Sequence, residues 1–599
     1  MKFFQNLLSL FTTKERWQIA GLFVLILIGA GFETLGVGLV LPFISLLENP
    51  QRVQETGLLR WFYQAVGEPE IRQFLIGSCL GFIGIYLIKN IYLTGLNYLQ
   101  YCFIYDKQME LGLRLFQSYL YSLYTFHLQR NSADLIRNLT AEISIFFNGV
   151  LFPGLLALTE VTFLACIALF LLVVEPVTSL AAAGGIGLAT MFFYRLVGLK
   201  LSDLGRQRQY HQGQVFQTIN QGLGGVKEAK VLGREQFFIE QYKRHNFSAT
   251  RALQFSQVVT QLPRFFIESI AVVGLMLIVV SVLAQGRELS AVLPTLSLFA
   301  AAAFRLMPSI NRILNAVTQM RFSSHSVYVL AHDLMELKAI EDPNQRANRS
   351  RTGVRPQGLE TAISLRNVVY QYPGASDASL RGVSLTIPKG TSVGFVGSSG
   401  AGKTTIVDVI LGLLPPTQGE VLVDGQDMYQ DLSGWQRLIG YIPQSIYLCD
   451  DTLRNNIAFG IPADEINEDW IQSALESAQL TELVKSLPQG LDTLVGERGV
   501  RLSGGQRQRV GIARALYHNP EVLVMDEATA ALDNQTEAGV MEAVEKLSGE
   551  KTLIMIAHRL TTVKNCDRLY FMQEGKIVDT GTYEQLSKTS KKFQKMINK

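Results

Sequence analysis

The chain has 599 residues, 48% apolar and 18% charged, with a formal net charge of +3. Soluble proteins carry roughly 25% charged residues, and the deficit here is uneven: residues 1–335 hold 26 Lys/Arg against 19 Asp/Glu, residues 336–599 hold 28 against 32. These figures argue against one uniform soluble globule and against a disordered chain; five cysteines without C-x-x-C spacing argue against zinc or a disulfide framework, and so small a mixed charge against nucleic acid.

From the N-terminus, Met1–Arg16 sets Phe3, Phe4, Leu7, Leu8, Leu10 and Phe11 among polar positions, the pattern of a short helix lying on a membrane surface. Six segments then meet or approach the roughly 20 apolar residues needed to cross a bilayer. They are Trp17–Leu47, Gln73–Ile104, Ile143–Val174, Pro176–Tyr194, Phe265–Gly286 and Leu289–Asn311, with a tight break at Val174-Glu175-Pro176. The first is too long for a signal peptide and lacks a small-residue cleavage site. With the N-terminus inside, the inner loops 105–142 and 195–262 hold fourteen Lys/Arg, and the outer loops only Arg52, Arg60 and Arg287. The positive-inside rule therefore puts the C-terminal half in the cytosol. The long inner loops should continue the spans as helices, with Asn131–Glu142 and Gly222–Phe238 at their tips, either solvated or in contact with a cytosolic domain.

The division expected is a transmembrane domain over 1–337, a linker over 338–360 and an α/β domain over 361–599. The linker holds Asp342-Pro343 and four arginines; beyond it, β-branched runs alternate with helical stretches. After Ser392–Val396 comes Gly397-Ser398-Ser399-Gly400-Ala401-Gly402-Lys403-Thr404-Thr405, a G-x-x-x-x-G-K-[ST] loop between strand and helix. Its glycines let backbone N–H groups turn in around phosphates, Lys403 would reach the β and γ phosphates, and the Thr404 hydroxyl would ligate Mg²⁺. Val522–Met525 reads as a buried strand ending in Asp526, placed for the Mg²⁺ shell, and Glu527, placed to polarise a water for in-line attack. Leu502-Ser503-Gly504-Gly505-Gln506 opens the helical stretch Arg507–Tyr517, either a glycine-rich cap or a second helix N-terminus for phosphate.

At this point the chain resembles an ATP-binding-cassette transporter, with Leu502–Gln506 matching the family signature without a substitution. The resemblance covers the whole chain: an all-α six-span domain followed by one α/β P-loop cassette. It implies roles that spacing cannot supply. Two cassettes would bind ATP head to tail, so Ser503, Gly504, Gly505 and Gln506 of one chain face the nucleotide of the other. Gln444 matches the glutamine that senses Mg²⁺, His558 the switch histidine, Tyr372 the aromatic on adenine, Asp533 the loop linking two sites, and Glu497 the exporter-type loop. Ala530 stands where the family often has Ser, and Asn455 where Glu is common.

One cassette per chain implies a homodimer, with a heterodimer as the alternative, and membrane-then-cassette order resembles exporters. No peptidase-like domain precedes the first span, against a leader-cleaving peptide exporter. The expected setting is a bacterial plasma membrane. Charges inside spans default to functional hypotheses, here Glu33, Lys89, Glu160, Glu268 and Arg305, with Arg312 at the inner end of the sixth. Arg305, Pro308 and Arg312 share a helix face, where two guanidiniums would suit a phosphate or pyrophosphate; the alternative is pairing with the intramembrane glutamates. The stretch from Glu33 through Pro42 to Ile44 also looks similar to the first span of flippases for polyprenyl-linked oligosaccharides. The expected cargo is thus a lipid-linked oligosaccharide or polysaccharide precursor, with other lipids, amphipathic drugs and peptides as alternatives. A soluble cassette ATPase would lack the spans, and an ATP-gated channel or regulatory subunit often lacks intact catalytic residues.

Overall fold

The computed structural model describes residues 2–40, 43, 63–64, 70–174, 176–284, 293–340, 358–527, 537, 541–542, 544–545, 547–557 and 559–597, with the backbone alone for parts of 174–199, 263–284 and 293–305. Two compact units result: Met1–Ser122 with Arg130–Ala339, and Leu123–Gln129 with Ile340–Lys599. The expected linker lies mostly outside the described residues.

The first unit is helical. Lys2–Ser9 forms the expected short helix. Thr12 then starts Thr13–Gly38 through a capping box with Glu15, which satisfies two orphan N–H groups at once. The end of the first predicted span, at Pro42, falls outside the described residues. Ile71–Leu120, Pro176–Gly224, Glu235–Ala284 and Leu293–Ile340 run 50, 49, 50 and 48 residues. At 1.5 Å per residue each is over twice the thickness of a hydrocarbon core, so each extends past the bilayer. Among the described residues, three helices are long and apolar enough to cross: Thr13–Gly38, Ile71–Leu120 and the run Ser132–Val173. That run carries two π-helical turns, Asn138–Glu142 and Phe147–Leu151, before Phe152–Val174. Pro176 then opens the next helix at a position where its missing N–H costs nothing. Gly205 allows Pro176–Gly224 to lie hard against Leu293–Ile340, since a Cβ there would fall 2.0 Å from the Phe322 carbonyl oxygen.

The first inner loop turns around earlier than the sequence suggests. Ile71–Leu120 stops at Tyr121, and a short helix, Tyr124–Gln129, forms the turn, while Ser132–Arg137 already belongs to the returning helix. Phe126 of the short helix is buried, and its segment groups with the second unit. The second loop turns through Val226–Val231.

Among the described residues the second unit holds ten strands: β1 Ala362–Tyr370, β2 Leu380–Pro388, β3 Ser392–Gly397, β4 Gln418–Val423, β5 Gln426–Asp427, β6 Ile439–Ile442, β7 Val522–Asp526, β8 Thr552–Ile556, β9 Arg568–Gln573 and β10 Lys576–Gly581. An antiparallel sheet runs β2-β1-β4-β5, and a second runs β10-β9-β3-β8-β7-β6, parallel from β9 to β6. Residues of β3, β7 and β8 are buried along their whole length, the signature of central parallel strands covered on both faces. Their C-terminal ends carry the nucleotide-handling loops.

Candidate functional site

Strand β3 delivers the phosphate loop. Gly397, Gly400 and Gly402 have φ of 155°, 76° and 98°, a left-handed backbone closed to most L residues. At Gly397 space forbids a side chain as well, since a Cβ would fall 2.3 Å from the Met572 carbonyl oxygen. Lys403 opens the helix Lys403–Ile410 with its side chain curled back on the loop, Nζ donating to the Gly397 and Ser398 carbonyls at 2.9 and 3.0 Å. Burial lowers its pKa, and the carboxylates of Glu527 and Asp526 oppose that. The ammonium therefore lies close to both acids.

Asp526 ends β7, 7% exposed, and Glu527 follows with a φ of 50°. A non-glycine residue there stores about 1–2 kcal/mol of strain, held in place as the Glu527 N–H donates to the Ile556 carbonyl at 3.2 Å. Gln444, just past β6, donates from Nε2 to Glu527 Oε2 at 2.7 Å. The structure thus brings Lys403, Asp526, Glu527 and Gln444 together from three strand ends. Thr404 is exposed at the start of its helix, and Thr405 shares a hydrogen bond with the Tyr372 hydroxyl at 3.2 Å. Thr404, Gln444 and Asp526 offer hydroxyl, amide and carboxylate oxygens, a donor set that fits Mg²⁺.

Ser503 caps the helix Gly504–Leu516, its Oγ accepting from the Gln506 N–H at 3.2 Å while the Ser503 N–H donates to Gln506 Oε1 at 2.8 Å. Gln506 therefore holds the cap shut, and Gly504 and Gly505 form the first turn behind an exposed Ser503. The S-x-x-Q spacing of a capping box was readable in the sequence. Glu497 is exposed in a turn framed by Gly496 and Gly499, both with positive φ. His558, Asp533 and Ala530 lie outside the described residues.

Two elements of this region have no linear signature. Arg514, on the helix capped by Ser503, donates to the carbonyls of Tyr447 and Asn456, both at 2.8 Å. Asn456 is fully buried and bonds Cys449 and Thr452 from the same side chain. The stretch after Gln444 is thus tied to the signature helix. The second is Tyr124 of the short helix Tyr124–Gln129. Burial raises its phenol pKa, and Asp408 and Tyr372 of the cassette add to the rise.

In the membrane unit, four of the six charges singled out above form two pairs. Glu33 and Lys89 are both buried, 3.4 Å apart across two helices. Glu160 accepts from Ser309 Oγ at 2.6 Å and pairs with Arg312, whose side chain is 49% exposed. Glu268 is exposed, and the side chain of Arg305 lies outside the described residues.

Comparison with known proteins agrees with this geometry. Residues 58–306 match the ABC transporter transmembrane region and residues 380–530 the ABC transporter cassette. The chain is 29% identical to the heterocyst differentiation ATP-binding protein HepA of Nostoc sp. over 97% of its length and 94% of that protein. It is 33% identical to the ATP-dependent lipid A-core flippase of Photobacterium profundum over 75% and 73% of the two chains, and 29% identical to that of Escherichia coli over 70% and 69%. The structure of a bacterial Atm1-family ABC exporter with ATP bound has the same fold, at a TM-score of 0.71, 22% identity and coverage of 97% and 98%. A membrane region fused to one ATP-hydrolysing cassette, in the order of these exporters, makes the chain a member of the ABC transporter family.

Proposed function

We propose that this chain is an ATP-driven flippase that moves a lipid-linked oligosaccharide or polysaccharide precursor across a bacterial inner membrane, as a homodimer of six spans per chain. The observation that carries the reading is the convergence of Lys403, Asp526, Glu527 and Gln444 at one sheet edge of a chain that also holds membrane-spanning helices. On binding ATP, Lys403 exchanges its two carbonyl acceptors for phosphate oxygens. Thr404, Asp526 and Gln444 would hold Mg²⁺, which would neutralise charge developing on the phosphates. Glu527 takes the proton from the attacking water, with its carboxylate oriented by Gln444. Ser503 and its glycine turn, exposed in one chain, complete the site of a second copy, and His558 contacts the γ-phosphate.

The helix Tyr124–Gln129 is the handle through which cassette movement reaches the spans. Cross-linking it to the cassette should block transport and spare ATP binding. For the cargo, Arg305 and the half-exposed Arg312, which would exchange its Glu160 partner for the ligand, bind the phosphate or pyrophosphate, and Glu33, taken up by Lys89, is a further candidate. The relatives named as lipid A-core flippases support a second cargo, another amphipathic lipid.

The test is ATP-dependent translocation of a polyprenyl-pyrophosphate-linked oligosaccharide in liposomes containing only this chain, with Glu527→Gln as control. Transport lost in the control supports the proposal. Intact ATP hydrolysis without transport overturns the cargo or the homodimer.

A further inference from the structure

The membrane unit contains a second polar site, on residues other than the Arg305–Arg312 face. The stretch Asn131–Arg137, the cytosolic part of Pro176–Gly224 and His325 line a half-open cavity of about 540 Å³, the size of a small-ligand site. We propose that this cavity binds a phosphorylated sugar.

Charge comes first. Arg206 lines the cavity and, among the described residues, makes no ion pair or hydrogen bond. Opposite it, Arg137 is braced by Asp134 at 2.7 Å and by the Asn138 side chain at 3.2 Å. Arg208 lies buried close by, 4.0 Å from Glu142. Of the lining residues, two guanidiniums, Arg137 and Arg206, thus stand against one carboxylate, Asp134, leaving a positive balance around the exposed Arg206 fork. A planar fork of N–H donors is the geometry that recognises phosphate bidentately. Arg206 and Arg208 also act on His325, where burial first and then the two arginines lower the imidazole pKa.

The rest of the wall selects the body of the ligand. Gln209 is 8% exposed, lines the cavity and, among the described residues, makes no hydrogen bond. Gln207, Gln214, Gln217 and Tyr210 add further amides and a phenol. Only Ala133 and Gly213 are apolar, and no leucine, isoleucine, valine, methionine or phenylalanine is present. Sugar hydroxyls would meet both donors and acceptors among these side chains, and the Tyr210 ring and the stems of the arginines and glutamines supply apolar surface for a sugar face. Gly213 keeps the space open beside Arg137, because a Cβ would fall 2.4 Å from Arg137 Nη1.

The same chemistry could be offered by a soluble sugar phosphate or by the head of a glycolipid, and a binding assay separates them. Labelled glucose 1-phosphate and labelled polyprenyl-diphosphate glucose are each titrated onto the full chain in nanodiscs, with glucose as control. Saturable binding of either probe that Arg206→Gln weakens at least tenfold, and Arg206→Lys weakens less, is the expected result. Displacement of glucose 1-phosphate by the lipid-linked sugar assigns the site to a head group, and no displacement to a free sugar phosphate. Absence of saturable binding by both probes, or equal binding by wild type and Arg206→Gln, overturns the proposal. Basal ATPase, which uses other residues, should be unchanged in Arg206→Gln. The outcome is independent of the liposome test, so either reading can fail alone.

Discussion

The two units hold their buried polar groups in opposite ways. In the membrane unit, several buried carboxylates are taken up by groups on neighbouring helices: Glu33 by Lys89, Glu160 by Ser309 and Arg312, Asp333 by Tyr119 and Asn138 at 2.6 and 2.7 Å. In the cassette, Lys403 rests on the Gly397 and Ser398 carbonyls with Glu527 and Asp526 acting on its ammonium, and Glu527 accepts from the Gln444 amide at 2.7 Å. A charge buried among helices needs a partner within the fold, whereas charges at a strand end lie where a ligand can replace the partners they have.

The largest effect should come from the strand ends. Glu527→Gln keeps the hydrogen-bonding shape but removes the base, so phosphate release should fall at least about 100-fold with ATP binding retained. Equal loss of both would show that Glu527 holds the fold.

On the paired side, Glu33→Ala leaves Lys89 buried with the Tyr86 ring, 4.3 Å from its ammonium, but no carboxylate, at a cost of about 3 kcal/mol, while replacing both by apolar residues of similar volume should recover most of it. Thermal unfolding in detergent reads this directly, and a double variant as unstable as the single one would refute pairing as the reason. In the cassette, Asn456→Ala strands the Cys449 and Thr452 backbone groups and should cost about 2 kcal/mol, with neighbouring Asn455→Ala costing less than half as much.

The smallest effect depends on pH. Burial, and secondarily Asp526, push the Asp408 carboxyl up to about 6 from 3.8. The folded cassette therefore keeps this proton to higher pH than the unfolded chain, and stability falls as pH rises from about 4 to about 6. Asp408→Asn should remove that loss, gaining about 1 kcal/mol at pH 7.5 after allowance for its partial exposure and nothing below pH 4. A gain that does not vary with pH would assign it to packing instead.

What was legible in the sequence follows the same division. The phosphate loop and the signature turn are contiguous, and their chemistry is mostly backbone N–H and glycine freedom, so nine and five residues in a row suffice to read them. Glu33 and Lys89 lie 56 positions apart, and Glu160 and Arg312 lie 152 apart. Which helices adjoin decides whether such charges face cargo or one another, and no local pattern records it. The cavity at Arg206 was missed for that reason, being assembled from three helices. The early turn at Leu123–Gln129 was missed because the helix-compatible stretch after it differs little in composition from the stretch before.

The two π-helical turns at Asn138–Glu142 and Phe147–Leu151 carry a practical consequence. Each accommodates an added residue, and one residue rotates an α-helix by about 100°. A helical wheel drawn from Ser132 through to Val174 thus loses phase twice, by some 200° in all. Labelling or cysteine-scanning designs that extrapolate across residues 138–151 will assign the wrong stripe to lipid, and those anchored separately on each side of that interval will not.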